Sequence, residues 1–450
     1  MMKQTKTDHS GHEQSTAVSA SQSDAAREAR KLIRPLRRGL RTLLQELVRT
    51  NSVAVPPVGN ETAAQRVLET FLREQGIRAE LYDTGFLHKA DNPLIRKNRR
   101  YAGRMNLSVR LPGTGRGKSL LLNGHMDTVP PGKSPWAASP WSGHVRGGRV
   151  HGLGSFDMKG GVVASAAVIC ALRRAGLRPG GDVIFESVVD EEWGGGGGTI
   201  AARLRGSAAD ACIIPEGTQL EVYRATRGGF VVDLVVDAGD AAAYFSNAEV
   251  VSPAVPLGRL LGWVDGWTAQ RRSVRPRGAY AGFPDPAPVQ VLAVESNRLD
   301  PEVPLSVPSR ATVRVYFQFL PEENVPARIR EIRASLKKFA GADPFFRKYP
   351  IQWNVLVDPL LGTEVAAEHP WTKCLAQSAE AVLGRPAVVT AAPYPCDAGL
   401  MQWSFGIPTL LFGPCGAGAH NPDEYVEFDS VVQTAEVLLT AALSWTNSQM

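Results

Sequence analysis

Apolar residues recur along this chain with two periods, and the switches between them mark its elements. Between Arg27 and Arg49, Leu36, Leu40, Leu43, Leu44 and Leu47 fall at helical spacing, predicting a helix packed by its leucines with the arginines on its solvated face. Residues 62–75 repeat the pattern, with Ala64, Val67, Leu68, Phe71 and Leu72 on one face and Gly76 as the expected C-cap. Apolar runs predict strands at 105–111, at 118–122 and at 182–189, with a small-residue helix over 158–176 before the last. That alternation predicts an α/β layered domain. From about Thr226 the texture changes. "GGFVVDLVVDAG" and "ATVRVYFQFL" are strand-like, "VPARIREIRASLKKFA" is an amphipathic helix, and a Pro/Arg-rich loop is expected at 270–288. After Asp358 the α/β texture resumes with a helix at 370–383 and a strand at 408–412. The expected organisation is a polar, disordered tail at 1–24, an α/β domain in two segments, 25–225 and 359–450, and an inserted α+β domain at 226–358.

Composition narrows this picture. At 450 residues the chain is too long for one ordinary core, and a hydrophobic content of 44% is normal for a soluble globular protein. No apolar stretch is expected to reach the ~20 residues needed to span a bilayer, and residues 1–24 lack the apolar core of a secretory signal, so no membrane partner is expected. Cys170, Cys212, Cys374, Cys396 and Cys415 are widely spaced, odd in number and without a CxxC pair, which argues for reduced thiols and a cytoplasmic setting. The net charge of +6 concentrates in 27–49 and 96–104. No stacking aromatics or nucleic-acid motif accompany it, so no nucleic-acid partner is expected.

The chemistry begins at "LLLNGHMDTVP", where an apolar run ends on His125 and Asp127. At a strand end the two side chains can lie on one side, and a carboxylate can hold one imidazole nitrogen while the other stays free for a metal or a proton. Four further stretches carry acids or histidines at strand ends or in glycine-rich turns: "GLGSFDMKGG" with Asp157, "VVDEEWGGGGG" with Glu191 and Glu192, "IIPEGT" with Glu216, and "GAGAHNPDEYV" with His420. Singly, Asp157 reads equally as a helix cap, the glycine run as a flexible turn and His420 as a surface residue. Together they make a mixed nitrogen and oxygen set that suits zinc or a related divalent ion.

This combination resembles the M20 family of metallopeptidases and amidohydrolases, the group of acetylornithine deacetylase, succinyl-diaminopimelate desuccinylase, aminoacylase and glutamate carboxypeptidase. The similarity runs from about residue 41 to 442. It implies a two-domain α/β fold, a phosphorylase/hydrolase-like catalytic domain carrying two divalent metal ions, most simply zinc with cobalt or manganese as alternatives, and an inserted α+β lid that often also makes a homodimer contact. On that resemblance His125 is a metal ligand and Asp127 its orienting partner, Asp157 bridges the two ions, Glu192 and Glu216 are terminal ligands, His420 is the remaining imidazole, and Glu191 is the general base. Asp190 is expected to shape the turn rather than enter the site. An amide is a poor electrophile and water a poor nucleophile, and a pair of cations with a free carboxylate base addresses both.

The lid departs from the pattern. Ala243, Leu305 and Gln318 stand where many relatives have a histidine, an asparagine and an arginine, which weakens the case for an ordinary α-amino acid derivative as substrate. Tyr244 and Asn247 are candidates to donate a hydrogen bond in the histidine's place, and Arg310 and Arg314 are the nearest alternatives to the arginine. Cys396 and Cys415 flank site motifs but read as buried thiols, Asp397 as a supporting acid, and His144, His151 and His369 as structural or exposed. The expected activity is hydrolysis of an amide in a small molecule. The readings set against it are acyl transfer or amide formation on the same metals, and a noncatalytic metal-binding relative.

Overall fold

A computed structural model describes residues 20–195, 197–238, 252–296 and 309–448. An eight-stranded sheet runs Val389–Thr390, Val222–Tyr223, Thr409–Leu411, Ala211–Ile214, Leu120–His125, Val183–Val188, Met105–Leu111 and Glu80–Asp83. Its centre is parallel, with Leu120–His125 between Ala211–Ile214 and Val183–Val188. Every residue of those three strands is buried, as parallel strands covered on both faces must be. Leu120 and Leu122 pack with the helices Ala20–Ile33, Arg37–Arg49, Gly160–Ala175, Pro370–Leu383 and Phe428–Thr446, while Leu121 turns to the other face with Ile184, Cys212 and Met401. The alternation of side chains thus ties one strand into two cores.

Of the tail expected over 1–24, residues 1–19 lie outside the described residues and the remainder is helical. A helix begins at Ala20, and Gln22 is buried, its side-chain oxygen accepting from Ser444 Oγ at 2.9 Å. The expectation that no apolar stretch approaches membrane-spanning length is also corrected. Ser155–Ala175 is long and apolar enough by length and composition, because alanines, glycines and valines fill it. It lies almost wholly buried inside the fold, as the central helix of a layered domain. The strand expected at 118–122 runs instead from Leu120 to His125, so His125 is its last residue.

The inserted domain is a four-stranded antiparallel sheet in the order Val289–Ser296, Arg310–Phe319, Gly228–Asp237, Gln352–Leu360. Phe230, Val232, Leu234, Val313, Val315 and Phe317 face the helices Ala254–Arg272 and Val325–Ala342, and Asn324 caps the latter by accepting from Ala327 N at 2.9 Å. Val231, Asp233, Arg314 and Tyr316 therefore fall on the opposite face, from which Val231, Arg314 and Tyr316 line the catalytic cleft. The last lid strand ends at Leu360, and the ribbon Ala225–Thr226 with Thr363–Glu364 carries both crossings between the domains.

Candidate metal centre and cleft

His125 ends the central strand with its side chain fully enclosed. Its Nδ1 donates to the main-chain oxygen of Asp127 at 2.9 Å, which leaves the Nε2 lone pair facing the cluster. The expected orienting carboxylate is therefore corrected. Asp127 Oδ1 lies 3.7 Å from Nδ1, beyond hydrogen-bond reach, and the carboxylate is committed elsewhere. Its two oxygens accept the main-chain N–H groups of Glu191 and Glu192 at 3.2 and 3.1 Å. Asp127 orients the imidazole through its backbone and the Glu191–Glu192 turn through its side chain.

That turn follows Val183–Val188 through Asp190, whose φ is 68°. The Asp190 carboxylate points into the domain, 2.9 Å from Arg104 Nη1 and 3.4 Å from Arg99 Nε, which leaves Glu191 and Glu192 to face the cleft. Glu61 pairs with the same Arg104. Asp157 sits in the irregular turn Ser155–Lys159, with non-helical dihedrals at Asp157 and Met158, so it does not cap a regular helix. Gly154 before it has φ 75°, and a Cβ there would lie 2.4 Å from Thr128 Cγ2. Glu424, buried, grips this turn: Oε2 accepts from Gly154 N at 2.8 Å, and Oε1 from Phe156 N and Asp157 N at 2.8 and 3.0 Å. Lys159 braces it from behind, donating to Leu47 O at 2.8 Å and Thr50 O at 3.2 Å.

Asp157 lies between the two imidazoles. Oδ1 is 3.2 Å from His125 Nε2, and Oδ2 is 3.1 Å from His420 Nε2. Glu216 Oε1 stands 3.6 Å from His125 Nε2, and Glu192 Oε2 stands 2.8 Å from His420 Nε2. Glu191 Oε2 is 3.9 Å from His125 Nε2. Among the described residues, ligand atoms of His125, Asp157 and Glu192 lie within 4.8 Å of one another. The ionisable groups of the cluster are all displaced from their ordinary range. Burial pushes the carboxyls of Glu191 and Glu192 up and that of Glu216 up to about 8. Both imidazoles are held well above their ordinary range, His125 against its own burial by Asp157 and Glu216, and His420 chiefly by Glu192. Asp157 goes the other way, its carboxyl held, against its own burial, well below the usual range by His125 and His420, so three glutamates that draw protons surround one carboxylate that stays ionised between two imidazoles.

Above the cluster opens a cavity of about 550 Å³ between the domains. Of the lid candidates, Tyr244 and Asn247, like Ala243 and Leu305, lie outside the described residues. Gln318 is buried, accepts from Arg227 Nη1 at 3.1 Å and donates to Gln290 Oε1 at 3.3 Å, and it is not itself among the cavity's lining residues. Arg314 lines the cavity, whereas Arg310 is not among its lining residues. Cys396 and Cys415 are free thiols outside the donor group, and burial pushes both up. Asp397 accepts from Thr199 Oγ1 at 2.6 Å, His144 stacks on His151 with ring centroids 4.5 Å apart, and His369 accepts from Trp371 N at the start of its helix. Glu424, Lys159 and the Glu61–Arg104 pair went unread in the sequence. Glu424 carries the one usable signal, an acid directly before the short strand Tyr425–Glu427 in a stretch that already holds His420.

Donors gathered beyond the carboxyl ends of parallel strands, under a second domain that roofs them, define a metal-dependent amidohydrolase. The chain belongs to peptidase family M20/M25/M40, whose family model matches residues 121–444. It is 25% identical over 412 residues to N-formyl-4-amino-5-aminomethyl-2-methylpyrimidine deformylase from Halalkalibacterium halodurans, covering 87% of this chain and 90% of that one. Succinyl-diaminopimelate desuccinylase from Methylobacterium nodulans is 29% identical over 335 residues, covering 71% and 78%. Human carnosine dipeptidase 1 shares the fold at a TM-score of 0.73 and 16% identity, over 94% of this chain and 100% of that chain. A dinuclear metal-binding M20 peptidase from Bacillus subtilis aligns at a TM-score of 0.56 and 13% identity, over 92% and 99%.

Proposed function

We propose that this protein hydrolyses the amide bond of a small N-acyl compound with two divalent metal ions, most simply zinc, held by His125, Asp157, Glu192, Glu216 and His420. One observation carries the reading: the two oxygens of Asp157 each face a different imidazole Nε2, at 3.2 and 3.1 Å, and each imidazole has its own glutamate. That is a donor set with one shared carboxylate and one His–Glu pair on either side, suited to two ions rather than one. When bound, such a pair of ions lowers the pKa of water and polarises an amide carbonyl.

The chain's own residues do the rest. Asp127 keeps the Glu191–Glu192 turn in place by accepting both main-chain N–H groups, so that the two neighbouring carboxylates divide their roles. Glu192 faces His420 at 2.8 Å, whereas the nearest approach of Glu191 to His125 is 3.9 Å, which suits a base not consumed as a ligand. Glu191 takes the proton from the attacking water at a carboxylate oxygen and delivers it to the departing amine nitrogen. The names of the relatives, a deformylase, a desuccinylase and a dipeptidase, favour hydrolysis of small amides. Association through the lid and a cytoplasmic location with reduced cysteines belong to the same reading.

The test is to load the protein with zinc or cobalt, count the bound ions, and screen N-acyl and N-formyl amines with and without an added amine acceptor. Free acid and free amine as the products support hydrolysis. Transfer of the acyl group to the acceptor in preference to water, or no turnover by protein holding two ions, overturns it.

A further inference from the structure

The walls of the cleft are apolar where its floor is charged. Trp193 and Tyr394 stand on the catalytic side, and Val231, Leu292, Tyr316 and Leu360 on the lid side. Besides His420, the described lining contains one basic side chain, Arg314. Its guanidinium is already engaged: Nε lies 2.8 Å from Asp233 Oδ1 and Nη2 lies 2.9 Å from Asp233 Oδ2. The pair is built into the lid sheet, where Asp233 and Arg314 are direct cross-strand partners. Glu295 on the neighbouring strand adds a second negative charge near the same guanidinium. Two parallel N–H···O contacts are the arrangement an arginine would otherwise offer to a substrate carboxylate. A carboxylate arriving beside Arg314 would have to displace Asp233 or lie against it, and like charges so close repel. The lid residues outside the described set, 239–251 and 297–308, contain one further basic residue, Arg298.

We propose that the cleft takes amides of uncharged amines with an apolar body, that it discriminates against amides bearing a carboxylate on the carbon next to the amide nitrogen, and that Asp233 sets this preference by occupying Arg314. The inference rests on the amidohydrolase reading above. Asp233 acts on specificity by a repulsive element, since it both fills the guanidinium fork and opposes a second anion.

The matched probes are N-formylbenzylamine and N-formylphenylglycine, which differ only in the carboxylate. Zinc-loaded protein should favour the neutral compound in kcat/KM by about tenfold or more, the scale of one charge-assisted contact. Asp233→Ala should cut that ratio by about tenfold, and adding Arg314→Met should restore it. Asp233→Asn serves where the alanine variant fails to fold, and Arg298→Ala should leave the ratio unmoved. Binding of both compounds to zinc-loaded Glu191→Gln protein, by calorimetry, reads the same discrimination without turnover. Cleavage with the carboxylate compound preferred, or a ratio moved by Arg298→Ala and not by Asp233→Ala, overturns this proposal and leaves the hydrolase reading standing. Preferential binding of the neutral compound with no cleavage of either overturns the hydrolase reading and leaves the discrimination standing. Neither binding nor cleavage overturns both.

Discussion

Replacing Glu424 should loosen the metal site without removing a ligand. Its carboxylate is buried and its two oxygens accept three main-chain N–H groups, those of Gly154, Phe156 and Asp157, at 2.8, 2.8 and 3.0 Å. Phe156 and Asp157 belong to the turn that presents the Asp157 carboxylate, and Gly154 immediately precedes it. In Glu424→Ala each N–H loses its partner, at about 1–3 kcal/mol for a buried unsatisfied group, so the turn loses roughly 3–6 kcal/mol after partial hydration of the space left behind. In Glu424→Gln the amide oxygen can still accept from Phe156 and Asp157, but the amide NH2 then faces the Gly154 N–H, and the cost falls to about 1–3 kcal/mol for one lost contact. The two variants should therefore rank, with metal affinity falling by about 10–100-fold in the alanine variant and less in the glutamine one. Competition against a chromophoric chelator reads the affinity, and kcat/KM at saturating metal shows how much activity returns once the ions are forced in. Glu424→Ala with unchanged metal affinity and unchanged turnover at limiting metal would refute the account, because the grip on the Asp157 turn would then be doing nothing for the site.

Glu191→Gln keeps size and removes the base, so bound metal should be retained while kcat falls by about two orders of magnitude or more; near-normal turnover would assign the proton to another group. Dialysis against a chelator should abolish activity and re-addition of zinc or cobalt should restore it, followed by activity and metal analysis in parallel. Arg99→Met removes one of two cations from Asp190, which keeps Arg104 at 2.9 Å, and one of two from Asp358, which keeps Arg96 at 3.7 Å, and should destabilise by about 1–3 kcal/mol in urea unfolding, with Arg99→Lys intermediate. In the lid, Glu323 is held below its usual 4.5 against burial by Arg271, so its contribution is present above about pH 4.5 and is lost as pH falls through the lower folded value; Arg271→Gln should flatten acid unfolding in that range.

Where an element carries its own periodicity, the chain declared it. Met105–Leu111 and Pro370–Leu383 occupy the expected residues because their apolar positions match the face each buries. Ala254–Arg272 was not legible. Pro256, Gly258, Gly262 and Gly266 lower its helix propensity, yet Leu257, Leu260, Val264 and Trp267 bury against the lid sheet and carry the segment into a helix. Val289–Ser296 escaped for the opposite reason: it is an edge strand in which Val291, Leu292 and Val294 are all exposed, so beyond Val289 little core selects a pattern in it.

The histidines and acids that the structure brings together were readable because their side chains carry distinctive chemistry, but the devices that aim them were not, because their partners are backbone. Asp127 and Glu424 each spend a buried carboxylate on main-chain N–H groups, the first on Glu191 and Glu192, the second on the Gly154–Asp157 turn. A main-chain N–H looks the same under every residue except proline, so no spacing of letters reveals which acid it will meet. The same blindness assigned the Asp127 carboxylate to His125, when the carbonyl does that work at 2.9 Å and the carboxylate is needed 64 residues away. The two acids are alike in effect: each converts a loop that glycine makes easy to bend into one that holds a single shape. Between them they set the facing of Asp157, Glu191 and Glu192, so the division of ligand and base proposed above would depend on two acids whose carboxylates are spent on backbone.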